Sequence, residues 1–419
     1  MAAPMRVFSR KGITWHCRRA AHQQSKAKYV AHTQRYCTST SEAESKSTDS
    51  VAAPGTFKQD FFRATENDPT NQTLKHEGQF YSIPLDQVKS ILPVGTSTKW
   101  QRLIQPFQEA SIMVRRPALE VINYLKQADY TNPPVKYALY GKKGSGKTMS
   151  LSHIIHYCHS QGWLIVHLPD ASQMNYKFKF DYIDNYSYKD STPYECMYDQ
   201  PVYAAEWLAH FKQRNHKFLS EITTTEAYVW SKRETTEKGE PLLDVVNQGL
   251  KRPKNSCDAI GVILKELEHH SMSGKNRILF AVKTVNGLFA PLTNIRKPGG
   301  YVIPVAELTL NMHFKNFLRG NWTNGAMVMT VDSQNTRNQP NHDFKPLHLL
   351  QKEGFEFLDP FVPIFVDNYN EKEMESCIEF YRHKRWIEND TVVTEDGRKQ
   401  LKFLTENSPG LLTMMSPTM

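Results

Sequence analysis

Residues 135–148 read VKYALYGKKGSGKT, a short apolar run followed by a glycine-rich turn. The turn fits the pattern G-x-x-x-x-G-K-[ST], in which backbone N–H groups surround the phosphates of a nucleotide. In this pattern Lys147 reaches the β- and γ-phosphates, and the Thr148 hydroxyl is expected to bind Mg²⁺. The predicted nucleotide-binding residues are Gly141, Lys142, Lys143, Gly144, Ser145, Gly146, Lys147 and Thr148.

The sequence around this loop has the context that a phosphate-binding loop needs. Residues 135–140 resemble a buried strand, and residues 149–159 have apolar positions at helical spacing. Further apolar runs of strand length follow along the chain, at residues 163–168, 277–282, 326–331 and 362–366. Strands that alternate with helices predict an α/β fold, in which helices flank a parallel sheet on both faces.

Composition divides the chain into four predicted parts. Residues 1–40 contain eight Lys or Arg and no Asp or Glu, which is typical of a mitochondrial transit peptide. Residues 41–115 are predicted to be a linker and an extended N-terminal arm with short elements. Residues 116–367 form the predicted nucleotide-binding domain, with a helical insertion, and residues 368–419 a C-terminal helical part.

The net charge of +9 lies almost entirely in the first 40 residues. The remainder is nearly neutral, so its charge argues neither for nor against nucleic acid as a partner. An alternative to the transit peptide is a basic tail that touches RNA or lipid. No apolar stretch approaches the ~20 residues of a membrane helix, so no membrane partner is expected.

The run at residues 277–282 is the best candidate for the strand that carries the Walker B carboxylate, a ligand of Mg²⁺ in hydrolysing proteins. The next residue is Lys283, whose ammonium would repel Mg²⁺ and could contact phosphate instead. Asp170 and Asp332 also follow strand candidates, but each is more typical of an ordinary loop acid. We therefore expect nucleotide binding with weak or absent turnover, and no catalytic residue.

Two clusters of basic residues are candidate RNA contacts. For any single cluster a solvated helix face is the more common explanation, but together they make an RNA-contacting surface credible. The candidates are Lys251, Arg252, Lys254, Arg382, Lys384 and Arg385.

Six stretches besides the loop resemble one family, the death-associated GTP-binding proteins of the mitochondrial ribosomal small subunit. The most unusual is WSKRETTEKG at residues 230–239, and NSPGLL at 407–412 is similar to the lid signature of AAA-like proteins. The resembling stretches lie at residues 139–151, 163–171, 228–246, 258–267, 353–363 and 368–380. Family members similar to this chain carry Asp-Gly where this sequence has Lys283 and Thr284.

The resemblance implies a P-loop domain of the AAA-like type whose C-terminal lid is residues 368–419. It also implies a guanine nucleotide, GTP or GDP, with ATP not excluded, and a link of the animal members to cell death. The implied location is the mitochondrial matrix, in contact with small-subunit ribosomal RNA, ribosomal proteins and the large subunit. The alternative hypothesis is an autonomous mitochondrial AAA-like NTPase or apoptotic switch.

Overall fold

The computed structural model describes residues 61–176, 189–191, 193–296, 302–333 and 344–416. The predicted transit peptide and the first part of the predicted linker lie outside these residues. The strands β1 to β11 are, in order, Phe80–Ile83, Ala110–Met113, Val135–Tyr140, Leu164–Leu168, Lys189–Asp190, Tyr198–Asp199, Tyr228–Ser231, Glu234–Thr236, Ile278–Val282, Gly325–Thr330 and Val362–Phe365. The helices α1 to α13 are, in order, Leu85–Ile91, Thr98–Phe107, Arg116–Gln127, Lys147–Ser160, Ala171–Tyr176, Pro201–Glu221, Leu242–Lys251, Ser256–Ser271, Thr309–Leu318, Pro346–Leu358, Glu371–His383, Glu395–Thr405 and Pro409–Met415.

The predicted parallel sheet is confirmed. Its five strands have the order β11-β3-β10-β9-β4, and every neighbouring pair is parallel. These are the five strands that the apolar runs predict, and each boundary agrees within one residue. The strand before the phosphate loop, β3, lies inside the sheet between β11 and β10, so the loop begins at a rigid point of the fold.

Alternate residues of each strand enter two different hydrophobic cores. In β9, Leu279 and Ala281 contact the core formed with α3 and α4, while Phe280 and Val282 contact the core formed with α6 to α10. Successive side chains of a strand point to opposite faces, and both faces are covered here, which explains the continuous apolar run. The predicted helical insertion forms much of the second core.

The segment before α3 differs from the extended arm that the sequence suggested. Strands β1 and β2 pair antiparallel, with Phe80 opposite Met113 and Ile83 opposite Ala110. Tyr81 and Ile112 are fully buried in the same core as α3 and α4. Residues 61–115 are therefore an integral part of the nucleotide-binding body, and its first described element lies well before residue 116.

A third core joins this segment to the lid. The rings of Phe80 and Phe380 stack with their centroids 4.2 Å apart. Phe107 contacts Phe380 and Tyr381 edge to face. The lid helices α11 to α13 thus contribute to one hydrophobic cluster with the N-terminal segment, and are held by it.

A charged network at Glu109 fastens the same junction. Arg63 binds the Glu109 carboxylate with both guanidinium nitrogens, and Lys384 of the lid lies 2.5 Å from it. The hydroxyls of Ser82 and Ser111 also donate to it. Burial alone raises the pKa of Glu109, but these hydrogen bonds outweigh burial and hold the pKa well below its usual value.

We predict that Glu109→Gln lowers the free energy of unfolding at pH 7 by roughly 1–3 kcal/mol, because the charge-assisted hydrogen bonds weaken. A depressed folded-state pKa stabilises the fold above the unfolded pKa, near 4.5, and this stability is lost as the pH falls towards the folded value. The difference between wild type and variant should therefore shrink by about 1 kcal/mol at pH 3.5. Urea unfolding at the two pH values measures it.

The matched control is Glu388→Gln, since Glu388 is an exposed carboxylate beyond the same helix. Its free energy of unfolding should equal that of wild type at both pH values. An unchanged stability of the Glu109 variant at pH 7 would show that the network does not hold the junction.

Candidate nucleotide-binding site

The phosphate loop connects β3 to α4, which begins at Lys147. Gly141 has a φ angle of 151°, and a Cβ atom there would lie 2.2 Å from the carbonyl oxygen of Val366. Gly144 has a φ angle of 87°, in the left-handed region that favours glycine. These glycines allow the loop to turn closely against β11, so that the N-terminus of α4 with its partial positive charge points at the site.

The Lys147 ammonium is buried and held by the loop itself. It donates to the carbonyl oxygens of Gly141 and Lys142, each at 2.8 Å. Burial lowers the pKa of Lys147, and the negative charge of Asp332 partly offsets this effect. Because an ammonium has three hydrogens, one remains for a phosphate oxygen.

The carboxyl ends of the parallel strands bring three further charged residues to the same edge. Lys283 follows β9, Asp170 follows β4, and Asp332 follows β10. All three line the cavity that also contains Lys147 and Thr148. This is the edge at which open α/β sheets bind their ligands.

Lys283 forms an ion pair at this edge. Its Nζ lies 3.2 Å from Asp170 Oδ2, and the two side chains are 19% and 10% exposed. The other oxygen of Asp170 accepts the backbone N–H of Ser172 at the start of α5. Asp170 is thus not an ordinary loop acid, because it neutralises the lysine at the Walker B position.

Asp332 is the second carboxylate of the cavity. Its backbone is held by Asn286, whose side-chain amide donates to the Asp332 carbonyl at 2.7 Å and accepts its N–H at 3.2 Å. Its Oδ1 atom is buried and makes no hydrogen bond within the described residues. Asp332 therefore remains open to a ligand, whereas Asp170 is engaged.

Arg115 lies behind the loop and was not predicted. Its guanidinium makes a paired contact with Glu373 of the lid, with nitrogen–oxygen distances of 2.9 and 3.0 Å. It also donates to the carbonyl of Ser145, within the phosphate loop, at 2.6 Å. Both side chains of the pair are less than 8% exposed. One cation thus connects the loop to the lid.

The same guanidinium reaches the chain segment that leads from β11 into the lid. It donates to the carbonyls of Asp367 and Asn368 at 3.1 and 3.2 Å, and lies 5.0 Å from the centre of the Tyr369 ring. Glu373 in turn accepts the N–H of Asn370 and caps α11. The orientation of the first lid helix is therefore fixed by Arg115 and its partner.

The lid contacts the loop directly at its other end. The N–H of Gly410 donates to the carbonyl of Gly144 at 3.0 Å. Lys99, from α2 in the N-terminal segment, donates to the carbonyl of Gly410 at 2.8 Å. Burial lowers the pKa of Lys99, and the neighbouring charge of Lys143 lowers it further. A phosphate near these two lysines would relieve their repulsion.

Loop, N-terminal segment and lid enclose a cavity of about 430 Å³. One end contains the five loop residues Lys143, Gly144, Gly146, Lys147 and Thr148. The rest of the lining is largely apolar and aromatic, and includes Phe80, Trp100, Leu103, Ile112, Met113, Tyr369 and Tyr381. The remaining predicted loop residues, Gly141, Lys142 and Ser145, support the loop without lining the cavity.

The structure separates the predicted RNA contacts into two kinds. Lys251 and Lys254 are exposed, and so is Arg385. Arg252 is half exposed and pairs with Glu234 at 3.2 Å. The remaining two are engaged inside the protein: Arg382 pairs with Glu379, and Lys384 binds Glu109.

Two further observations limit the chemistry of the described part of the chain. None of its helices has the length and apolar character needed to cross a membrane. Nor do the described residues contain a group of three or more His, Cys, Asp or Glu side chains arranged to hold a metal ion.

The sequence model of the family described as mitochondrial ribosomal death-associated protein 3 matches residues 112–415. The chain belongs to this family. It is 43% identical over 350 residues to the small ribosomal subunit protein mS29 of Bos taurus, covering 84% of this chain and 86% of the relative. The mS29 protein of Mus musculus is 41% identical over 347 residues, with coverage of 83% and 87%. The family that the resembling stretches indicated is confirmed.

A solved Walker-type ATPase of Pyrococcus abyssi is a distant structural neighbour of this family member. It covers 72% of this chain and 65% of its own, with a TM-score of 0.37 and 10% identity. At this level of similarity it adds nothing to the assignment, which rests on the sequence relatives.

We predict that Arg115→Lys destabilises the fold by roughly 3 kcal/mol, because lysine cannot reproduce the two-pronged contact with Glu373 and leaves buried acceptors unpaired. The loss should be greatest in the lid, so backbone amides of residues 371–416 should exchange hydrogen faster. Urea unfolding and hydrogen-exchange mass spectrometry measure the two effects.

The control is Arg116→Lys, at the exposed neighbouring position. It should leave both the stability and the exchange of the lid as in wild type. Equal behaviour of the two variants would contradict the role assigned to Arg115.

Proposed function

We propose that this chain is a structural component of the small subunit of the mitochondrial ribosome, and that it holds a guanine nucleotide in the cavity at the phosphate loop. The first part is supported by family membership and by relatives named as small ribosomal subunit proteins, at 43% identity over most of the chain. The protein accordingly acts in the mitochondrial matrix, with ribosomal RNA and ribosomal proteins as its partners.

One observation carries the nucleotide part of the proposal: the phosphate loop and an aromatic, apolar surface line the same cavity. A nucleotide has an anionic end that fits Lys147 and the N-terminus of α4. Its base is a flat, largely apolar group that fits the side formed by Trp100 and the lid residues Tyr369 and Tyr381. The choice of guanine comes from the family resemblance.

The surroundings of the cavity favour retention of the nucleotide over turnover. The lid is fastened to the loop through the Gly410–Gly144 hydrogen bond and through Arg115. Lys283 occupies the Walker B position and is already paired with Asp170. A bound nucleotide would therefore act mainly as a ligand that stabilises the native fold.

We predict that Lys147→Ala removes the nucleotide and reduces assembly. Small subunits isolated from mitochondria should contain about one guanine nucleotide per copy of the wild-type chain, as expected for one phosphate loop. Mass spectrometry of the extracted nucleotide identifies it. Subunits from cells with the variant should contain little nucleotide and less of this chain.

The matched control is Lys275→Ala, at an exposed position outside the cavity. It should leave nucleotide content and assembly unchanged. Wild-type subunits that contain the chain without any nucleotide would refute the nucleotide half of the proposal. Absence of the chain from small subunits would refute the ribosomal half.

The exposed lysines of the insertion provide the RNA contact in this proposal. We predict that the double variant Lys251→Ala, Lys254→Ala binds small-subunit ribosomal RNA more weakly, with a salt dependence shallower by about two units. Filter binding over a range of salt concentrations measures this slope.

The control is the double variant Lys352→Ala, Lys399→Ala, because both of these exposed lysines lie in ion pairs on other helices. Its slope should match that of wild type. Equal slopes for both double variants would exclude residues 251–254 from the RNA contact.

A further inference from the structure

The magnesium ion expected on Thr148 does not fit the residues that the structure places beside it. Among the described residues that line the cavity, the carboxylates are those of Asp170 and Asp332. Asp170 is bound to the Lys283 ammonium at 3.2 Å and to a backbone N–H. A divalent cation bound by Asp170 would have to lie beside that ammonium, where the two positive charges repel.

The charge of the cavity is already positive without a metal ion. Five cationic side chains line it against the two carboxylates, namely Lys99, Arg115, Lys143, Lys147 and Lys283. Arg115 is balanced by Glu373, which leaves four lysines facing Asp170 and Asp332. A nucleoside diphosphate carries roughly three negative charges at neutral pH, which the lysines can offset.

Lys283 is also suited to bind phosphate oxygens. Its ammonium has three hydrogens, and Asp170 accounts for one partner. Its backbone is fixed, because the Lys283 N–H donates to Leu168 and the next N–H, of Thr284, donates to Thr330 Oγ1 at 2.9 Å. The ammonium is therefore held at the edge of the sheet where a metal ion would bridge the phosphates.

We propose that this chain binds its nucleotide as a metal-free phosphate anion, with the Lys283 ammonium in the place of Mg²⁺. The inference rests on the proposed function, since it concerns the ligand of the same cavity. Asp170 then acts as a positioning residue: it holds Lys283 at the site and competes with the phosphate for its charge.

The experiment is calorimetric titration of GDP into the nucleotide-depleted full chain, once with magnesium and once with EDTA. The two dissociation constants should agree within about threefold, a difference of less than 1 kcal/mol. Tight binding with magnesium and none with EDTA would overturn this inference while leaving the proposed function intact. No binding in either buffer would instead remove the nucleotide function itself.

Two variants separate the roles of the pair. Asp170→Asn frees the ammonium, so GDP in EDTA should bind several-fold more tightly; weaker binding confined to the magnesium buffer would identify Asp170 as a metal ligand and overturn the proposal. Lys283→Gln removes the charge but keeps a side chain of similar length. It should weaken binding in EDTA by about tenfold, the loss of one charged contact.

Lys283→Asp places a carboxylate at the Walker B position, and binding of GDP should then depend on magnesium. Thermal unfolding of each variant without nucleotide shows whether it is folded, and only folded variants are compared. If Lys283→Gln is folded and binds GDP in EDTA as wild type does, Lys283 does not contact the phosphate and the proposal fails.

Discussion

The buried guanidinium of Arg115 is the interaction on which the rest of the site depends. It joins the phosphate loop through Ser145, the end of the sheet through Asp367, and the lid through Glu373. A buried charge is tolerated only when every donor finds an acceptor, and here the pair and three carbonyls supply them. Loop, sheet and lid are consequently fixed relative to one another by one group.

This arrangement explains why the N-terminal segment cannot be separated from the nucleotide-binding body. Arg115 directly follows β2, so its position depends on the pairing of β2 with β1. The same two strands carry Phe80 and Met113 into the core shared with the lid. The side of the cavity opposite the loop is therefore built by residues that precede the phosphate-binding strand, and by residues near the end of the chain.

The sequence predicts the sheet and the loop well because their signals are local. A run such as 278–282 is apolar at every position since both faces of the sheet are covered, and the glycines of the loop follow from backbone angles. The N-terminal segment gives no comparable signal. Its strands have four residues each, and the burial of Phe80 depends on Phe380, 300 positions away.

The residues around the loop were missed for the same reason. Nothing beside Arg115 in the sequence indicates that Glu373 will be its partner, since the pair is separated by 258 positions. The charge substitution at Lys283 was visible, but its consequence was not, because Asp170 lies on a different strand. Sequence motifs identify which residue types face the phosphate, whereas the topology decides which of them neutralise each other.

A phosphate loop without a carboxylate at the Walker B position is physically consistent when the nucleotide serves the fold. A ligand that binds only the native state adds RT ln(1 + [L]/Kd) to stability, about 2.7 kcal/mol at a hundredfold excess over Kd. Hydrolysis and release would forfeit this contribution each time. The glycines that bring the loop against β11, the closed lid and the Lys283–Asp170 pair all act in one direction, towards a nucleotide that stays bound.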